Sequence, residues 1–123
     1  MRYLLLLSEE DPGFWSRADE AERAALMDAH VAFDAAVRER GHLVAGEALA
    51  DAASTHTLRT VGGHRVLTEG PYAESVEQLG SFYLVDADDL ATVEQLVRVL
   101  PDHYAIEVRP VVRVGGYDYG ERG

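Results

Sequence analysis

A histidine and an aspartate one helical turn apart are the first residues whose types and spacing predict chemistry. His30 occupies the apolar stripe of the first predicted helix, between Leu26 and Phe33, where the pattern calls for an aliphatic residue. Asp34 follows one turn later, so its carboxylate can hold an imidazole nitrogen and favour the tautomer or charge of a general acid or base. His30 and Asp34 are therefore candidate catalytic residues. The alternative is a histidine at the edge of the core whose ring is satisfied by a backbone carbonyl.

The loop from Glu69 to Glu74 is a second candidate site. Its glycine and proline fix the backbone, while two carboxylates and a phenol project from a short span. Polar loops held by a firm scaffold often line ligand sites, so Glu69 and Tyr72 are candidate ligand-binding residues. The alternative is a loop that only shapes the connection between two strands.

The last predicted strand supplies a third candidate. Glu107 and Arg109 alternate with Ile106 and Val108, so the two charged side chains share one face of the strand. Arg109 is a candidate ligand-binding residue for a substrate carboxylate. The alternative is an ion pair with Glu107 or with Glu47.

Several other kinds of site lack a motif in this sequence. There is no cysteine and no lysine, which excludes thiolate metal sites, a cysteine nucleophile and Schiff-base chemistry. No HExxH, GxGxxG, GxxxxGK[ST] or GxSxG pattern occurs. We expect neither a metal nor a cofactor, although ligands brought together by the fold remain an alternative.

Length and composition indicate a single globular domain. The 123 residues are 47% hydrophobic and 27% charged, which is ordinary for a folded protein. We predict one domain over residues 1–112 and a tail over residues 113–123. No apolar run approaches the roughly 20 residues of a membrane span. The longest, residues 3–7, is not followed by the small-residue cleavage site of a signal peptide, so a cytoplasmic protein is expected. The net charge of −11 disfavours nucleic acid and membrane partners.

The hydrophobic pattern predicts the elements that must position these residues: strand, helix, strand, hairpin, strand, helix, strand. Ser16 and Asp19 resemble a capping box ahead of a first helix over residues 19–40, and Gly41 ends that helix. Gly62 and Gly63 form the two-residue hairpin turn. The second helix has an apolar stripe of Leu90, Val93, Val97 and Leu100.

This order favours an α+β fold, a ferredoxin-like sandwich with an inserted β-hairpin, in which both helices cover one face of the sheet. The strands around residues 4–7 and 82–85 carry apolar side chains on both faces, so the second face also needs a cover. We expect a second copy of the chain to provide it, in a homodimer that packs sheet against sheet.

The sequence also resembles a known family. The segments TEGPYAE at residues 68–74, QLG at 78–80 and FYLVD at 82–86 are similar to the signature of the YCII-related proteins, in the branch named for its DGPF motif. Glu69 and Tyr72 replace the Asp and Phe of that motif. LVAGE at residues 43–47 and IEVRP at 106–110 extend the resemblance from Tyr3 to Val111.

This resemblance implies a ferredoxin-like fold that dimerises into an α/β barrel. Relatives in the wider group have a histidine in the first helix, proposed to act with an aspartate as an acid–base pair, and His30 matches that position. Asp34 is proposed as its partner from spacing alone. One type of relative eliminates chloride from a chlorinated aromatic diol, and genes of the branch often neighbour those of extracytoplasmic-function sigma factors.

Two hypotheses of function follow. In the first, the protein is an enzyme that transfers protons on a small cyclic or aromatic metabolite, with His30 as acid or base, Asp34 orienting it, and Glu69, Tyr72 and Arg109 positioning the substrate. In the second, it is a non-catalytic small-ligand-binding or regulatory accessory protein, linked to a sigma factor. The sequence does not decide between them.

Overall fold

A computed structural model describes residues 1–72 and 78–120 of the chain. Within these residues, ten elements follow one another along the chain. The strands are β1 (Arg2–Glu9), β2 (His42–Ala48), β3 (His56–Val61), β4 (His64–Glu69), β5 (Gln78–Asp86) and β6 (Tyr104–Pro110). The helices are α1 (Phe14–Arg17), α2 (Glu20–Arg40) and α3 (Leu90–Val97), with a 3-10 turn at Ala52–Ser54.

The strands form two antiparallel sheets. A four-stranded sheet has the order β2-β5-β1-β6, and β3 pairs with β4 in a separate two-stranded sheet. The four-stranded order is compatible with a ferredoxin-like sandwich, because β1 and β5 lie at the centre and each helix connects two strands of the sheet. The predicted α+β class is therefore confirmed.

The core lies between this sheet and the two long helices. Alternate residues of β1, at positions 3, 5 and 7, are buried against Phe33 and Val37 of α2 and against α3. Leu4 and Leu6 point to the opposite face of the sheet and are half-buried. The central strand thus separates a packed face from a partly open one.

Both ends of α2 are specified by local chemistry. Asp19 accepts a hydrogen bond from the Glu22 amide at 2.8 Å, while the Glu22 side chain accepts one from the Asp19 amide. The capping box therefore joins Asp19 to Glu22, and the predicted pairing of Ser16 with Asp19 is wrong because α1 occupies residues 14–17. At Gly41 a Cβ would lie 2.0 Å from the Asp86 carbonyl oxygen, so only glycine allows this close approach.

The inserted hairpin is confirmed. Gly62 and Gly63 both have positive φ, at 56° and 82°, which is the geometry of a two-residue turn that matches the twist of its strands. Leu58 and Leu67 are exposed at 53% and 65%, so the hairpin adds little to the core.

The predicted second helix is α3, and its stripe differs from the prediction. Val93 and Leu100 are buried as expected and Val97 is half-buried, but Leu96, outside the predicted stripe, is buried as well. Leu90 is 57% exposed because it is the first residue of α3 and lies at its solvent side. Among the residues that the structure describes, no helix is long and apolar enough to cross a membrane.

Candidate functional site

His30 lies at the middle of α2, on the face that packs over the sheet. Its ring is half-buried, with Nδ1 at 2.6 Å from the Tyr83 hydroxyl and Nε2 at 3.0 Å from the Tyr104 hydroxyl. The Tyr104 ring also meets the imidazole edge-on, at 5.6 Å between centroids. The imidazole is therefore held between two phenols that come from different strands.

Strand alternation brings these tyrosines to the helix side of the sheet. Tyr83 is paired with Leu5 across β1, and Tyr104 with Glu9, so both phenols point toward α2. Gly46, opposite Tyr83 on β2, leaves the space that the phenol needs, because a Cβ there would lie 2.6 Å from the ring. A signal for both was present in the sequence, since a tyrosine in a buried strand needs a partner for its hydroxyl.

Burial sets the protonation states of this group. It lowers the pKa of His30, because the imidazolium is less well solvated than in water, and it raises the pKa of Tyr83 and of Tyr104. At neutral pH the ring and both phenols are thus uncharged. A neutral imidazole has one N–H donor and one lone pair, so one tyrosine donates to the ring and the other accepts from it.

Asp34 is coupled to this group by charge. Its carboxylate opposes the effect of burial on the pKa of His30, and its negative charge raises the pKa of Tyr83 further. Its Oδ1 is shielded from solvent and accepts no hydrogen bond within the part of the chain that the structure describes. The structure does not have the predicted direct contact between Asp34 and His30, because both ring nitrogens of His30 contact tyrosine hydroxyls instead.

A cavity of about 730 Å³ opens beside this group, between α2 and the β2–β5 edge of the sheet. This volume is in the range of small-molecule sites. Its polar floor comprises His30, Asp34, Tyr83 and Tyr104, with Glu9 at the end of β1. Most of the wall is apolar, and its large side chains include Trp15, Leu26, Met27, Val31, Leu43, Leu49 and Leu79.

The three predicted ligand-binding residues lie elsewhere in the described chain. Glu69 ends β4 and Tyr72 follows it, 77% exposed. Arg109 is paired with Glu107, which is the alternative that the sequence left open. None of the three lines the cavity of this chain. Glu74, the other carboxylate of the loop, is outside the described residues.

The arrangement is suited to proton transfer. An uncharged imidazole beside a carboxylate can take up a proton, and two neutral phenols can pass one on or hold a developing negative charge. Within the described ranges no group of three or more histidine, aspartate or glutamate side chains is placed to hold a metal ion.

Two comparisons relate the chain to known proteins. Residues 1–114 match the family of the YCII-related domain. The chain is also similar to an uncharacterized protein of Rhizobium meliloti (strain 1021), with 32% identity over 93 residues that cover 68% of this chain and 75% of the relative.

Proposed function

Since this chain belongs to the family of YCII-related domains, we propose that it performs acid–base chemistry on a small cyclic or aromatic metabolite in the cavity beside His30. One observation carries this proposal: a half-buried imidazole has both nitrogens on phenol hydroxyls at the floor of a cavity large enough for such a molecule. As part of the proposal, we place the chain in the DGPF-motif branch, on the Gly70-Pro71 pair between Glu69 and Tyr72.

The charge of Asp34 suggests an order for the protons. In the proposed scheme the Tyr83 hydroxyl turns its proton toward the negative charge of Asp34, and its oxygen accepts from Nδ1–H of His30. Nε2 then carries the lone pair and accepts from the Tyr104 hydroxyl. His30 is the general base in this scheme, and a substrate proton reaches Nε2 directly or by way of Tyr104.

Asp34 has a positioning role in the same scheme. Its negative charge stabilises the imidazolium that forms, against the effect of burial, and in this scheme the same charge orients the Tyr83 hydroxyl and so selects the tautomer of His30. The returned proton comes from the imidazolium, so no further reactant is needed.

Deuterium exchange tests the proposal without knowledge of the natural substrate. We would incubate the full chain with 2-tetralone, a cyclic aromatic carbon acid, in deuterated buffer and follow exchange next to the carbonyl by proton NMR. We expect wild-type exchange above the buffer rate, lowered about 10²- to 10⁴-fold in His30→Ala, the usual contribution of a general base. His56→Ala, on the exposed hairpin, is the matched control.

Equal exchange rates in wild type, His30→Ala and buffer would contradict the enzymatic proposal. A tetralone that binds without exchanging would instead favour the alternative, a non-catalytic ligand-binding or accessory protein. Circular dichroism of each variant, with His30→Gln as a second substitution, separates loss of activity from loss of fold.

We also propose that a second copy of the chain covers the open face of the sheet, which would form the α/β barrel of a homodimer. Both α2 and α3 pack on the other face, while the cross-strand pairs Leu4–Leu84 and Leu6–Phe82 are half-buried. Apolar side chains at the centre of a sheet are stabilised when another layer covers them.

Native mass spectrometry tests this assembly. We expect a dimer for the wild type and a monomer for Leu6→Arg, since a buried arginine without a partner opposes packing of the two sheets. Leu90→Arg, at an exposed position of α3, should remain dimeric. A monomeric wild type at micromolar concentration would rule out the proposed dimer.

A further inference from the structure

The charged residues that line the cavity favour a positively charged ligand. Its carboxylates are Glu9, Asp34, Glu47 and Asp51, and among the described residues that line it there is no arginine. We infer that the cavity selects a hydrophobic amine, with the ammonium group on Glu9 and the ring on the apolar wall. This inference rests on the proposed function, because it takes the same cavity as the ligand site.

Glu9 is placed to contact a ligand. It is the last residue of β1, and its pairing with Tyr104 puts its side chain on the helix side of the sheet. The side chain lies across Gly80, where a Cβ would be 3.1 Å from the Glu9 carboxyl carbon. Glycine at this position therefore leaves room for the carboxylate to reach the cavity.

The residues that the structure describes compensate the negative charge of Glu9 poorly. Burial raises the pKa of Glu9, and so does Asp11, while His103 acts in the opposite direction. His103 itself is stacked on Phe14, with 4.4 Å between ring centroids, and does not line the cavity. A ligand cation would supply the countercharge that a half-buried carboxylate lacks.

Asp34 adds a second negative charge, and His30 does not cancel it. The imidazole is neutral at pH 7 because burial lowers its pKa. Asp34 also has a buried Oδ1 with no hydrogen-bond donor among the described residues. An anionic ligand would meet two carboxylates without a cation, so the cavity disfavours acids and favours amines.

The apolar wall defines the rest of the ligand. Met27, Val31 and Leu79 line the cavity and are 51%, 65% and 45% exposed, although they are large hydrophobic residues. Burial of this surface against a ring removes it from water, which favours an aromatic or cyclic body over a polar one. The net charge of −11 also favours the approach of cations.

Three probes that share a phenyl ring test this inference on the full chain. We would measure binding of 2-phenylethylamine, 2-phenylethanol and 3-phenylpropanoate at pH 7.5 by titration calorimetry and ligand-observed NMR. We expect the amine to bind at least tenfold more tightly than the alcohol, and the carboxylate not to bind. Glu9→Gln should weaken the amine at least tenfold and leave the alcohol unchanged, while Glu10→Gln, its exposed neighbour, should change neither.

Four outcomes would overturn the inference: equal affinity for alcohol and amine, preferential binding of the carboxylate, failure of all three probes to bind, or an amine affinity that survives Glu9→Gln. The two proposals share one cavity but fail in different ways. A protein that binds the amine without exchanging tetralone loses only the enzymatic proposal, and one that exchanges tetralone without preferring the amine loses only this inference.

Discussion

Polar side chains cluster in two regions that differ in how they are held: the cavity beside α2 and the β3–β4 hairpin with the residues that follow it. In the cavity, His30 has a tyrosine on each nitrogen, and each partner comes from a separate strand. After the hairpin, Tyr72 is exposed, and the guanidinium of Arg59 lies 5.1 Å from its ring centroid. Burial shifts the pKa values of the cavity groups. The comparison therefore teaches that the surroundings of a polar side chain indicate a chemical site better than the number of polar residues close together in the sequence.

The largest difference between the two regions is expected in the free energy of unfolding when a packed side chain is truncated. Phe33, a fully buried residue of α2, is in contact with the Tyr83 ring, at 4.6 Å between centroids. Phe33→Ala should lower the free energy of unfolding by about 3–5 kcal/mol, because it leaves a cavity in the core. Leu67→Ala, on the hairpin, should cost about 0.5 kcal/mol or less. Urea denaturation of both variants measures the difference, and equal costs would show that the hairpin is packed as firmly as the core.

A smaller effect should come from the hydroxyl of Tyr83. Tyr83→Phe leaves Nδ1 of His30 without its partner, which should cost about 1–3 kcal/mol, the usual penalty for a buried polar group that loses its hydrogen bond. Tyr117→Phe, in the exposed segment after β6, is the matched control and should be nearly neutral. If both substitutions cost the same, the tyrosine contact with His30 contributes nothing to stability.

The sequence predicted the elements better than the contacts of the site. The stripe of Phe33 and Val37 and the Gly62-Gly63 turn follow from local periodicity and backbone geometry, so they could be read directly. The partners of His30 are 53 and 74 residues away in the chain. Local spacing offered Asp34 instead, and only the register of the sheet shows which tyrosines reach the ring.

A similar reason explains the ligand-binding predictions. Glu69, Tyr72 and Arg109 were selected because they lie in a turn motif or alternate along a strand, and neither pattern reports on the cavity. Glu9 was not selected because it stands with Glu10 and Asp11 just after the first apolar run, whereas β1 extends through it. The role of Glu69, Tyr72 and Arg109 stays a prediction that the fold of one chain does not test.

The pH dependence of stability is expected to differ between a histidine in the cavity and one on the hairpin. Because the pKa of His30 is lowered on folding, its contribution is fully present above the unfolded value of 6.5 and is lost as the pH falls through the folded value. Wild type should therefore lose more stability than His30→Gln between pH 7.5 and 5. His56→Gln on the hairpin should follow the wild type. Thermal unfolding of the three proteins across this range gives the comparison, and parallel curves for wild type and His30→Gln would show that burial does not perturb the ring.

The smallest effect is expected at Tyr72. Tyr72→Ala removes one exposed contact between a guanidinium and a ring and removes no buried surface from the core. It should therefore lower the free energy of unfolding by about 0.5–1 kcal/mol at most. The affinity for 2-phenylethylamine should also stay unchanged, since Tyr72 does not line the cavity of its own chain. Tyr83→Phe is the positive control for a change inside the cavity.

If Tyr72→Ala lowers the affinity for the amine while the protein stays folded, the predicted ligand-binding role of Tyr72 is correct. The residue would then reach a cavity from the partner subunit, and the contrast between the two regions would hold for one chain but not for the dimer.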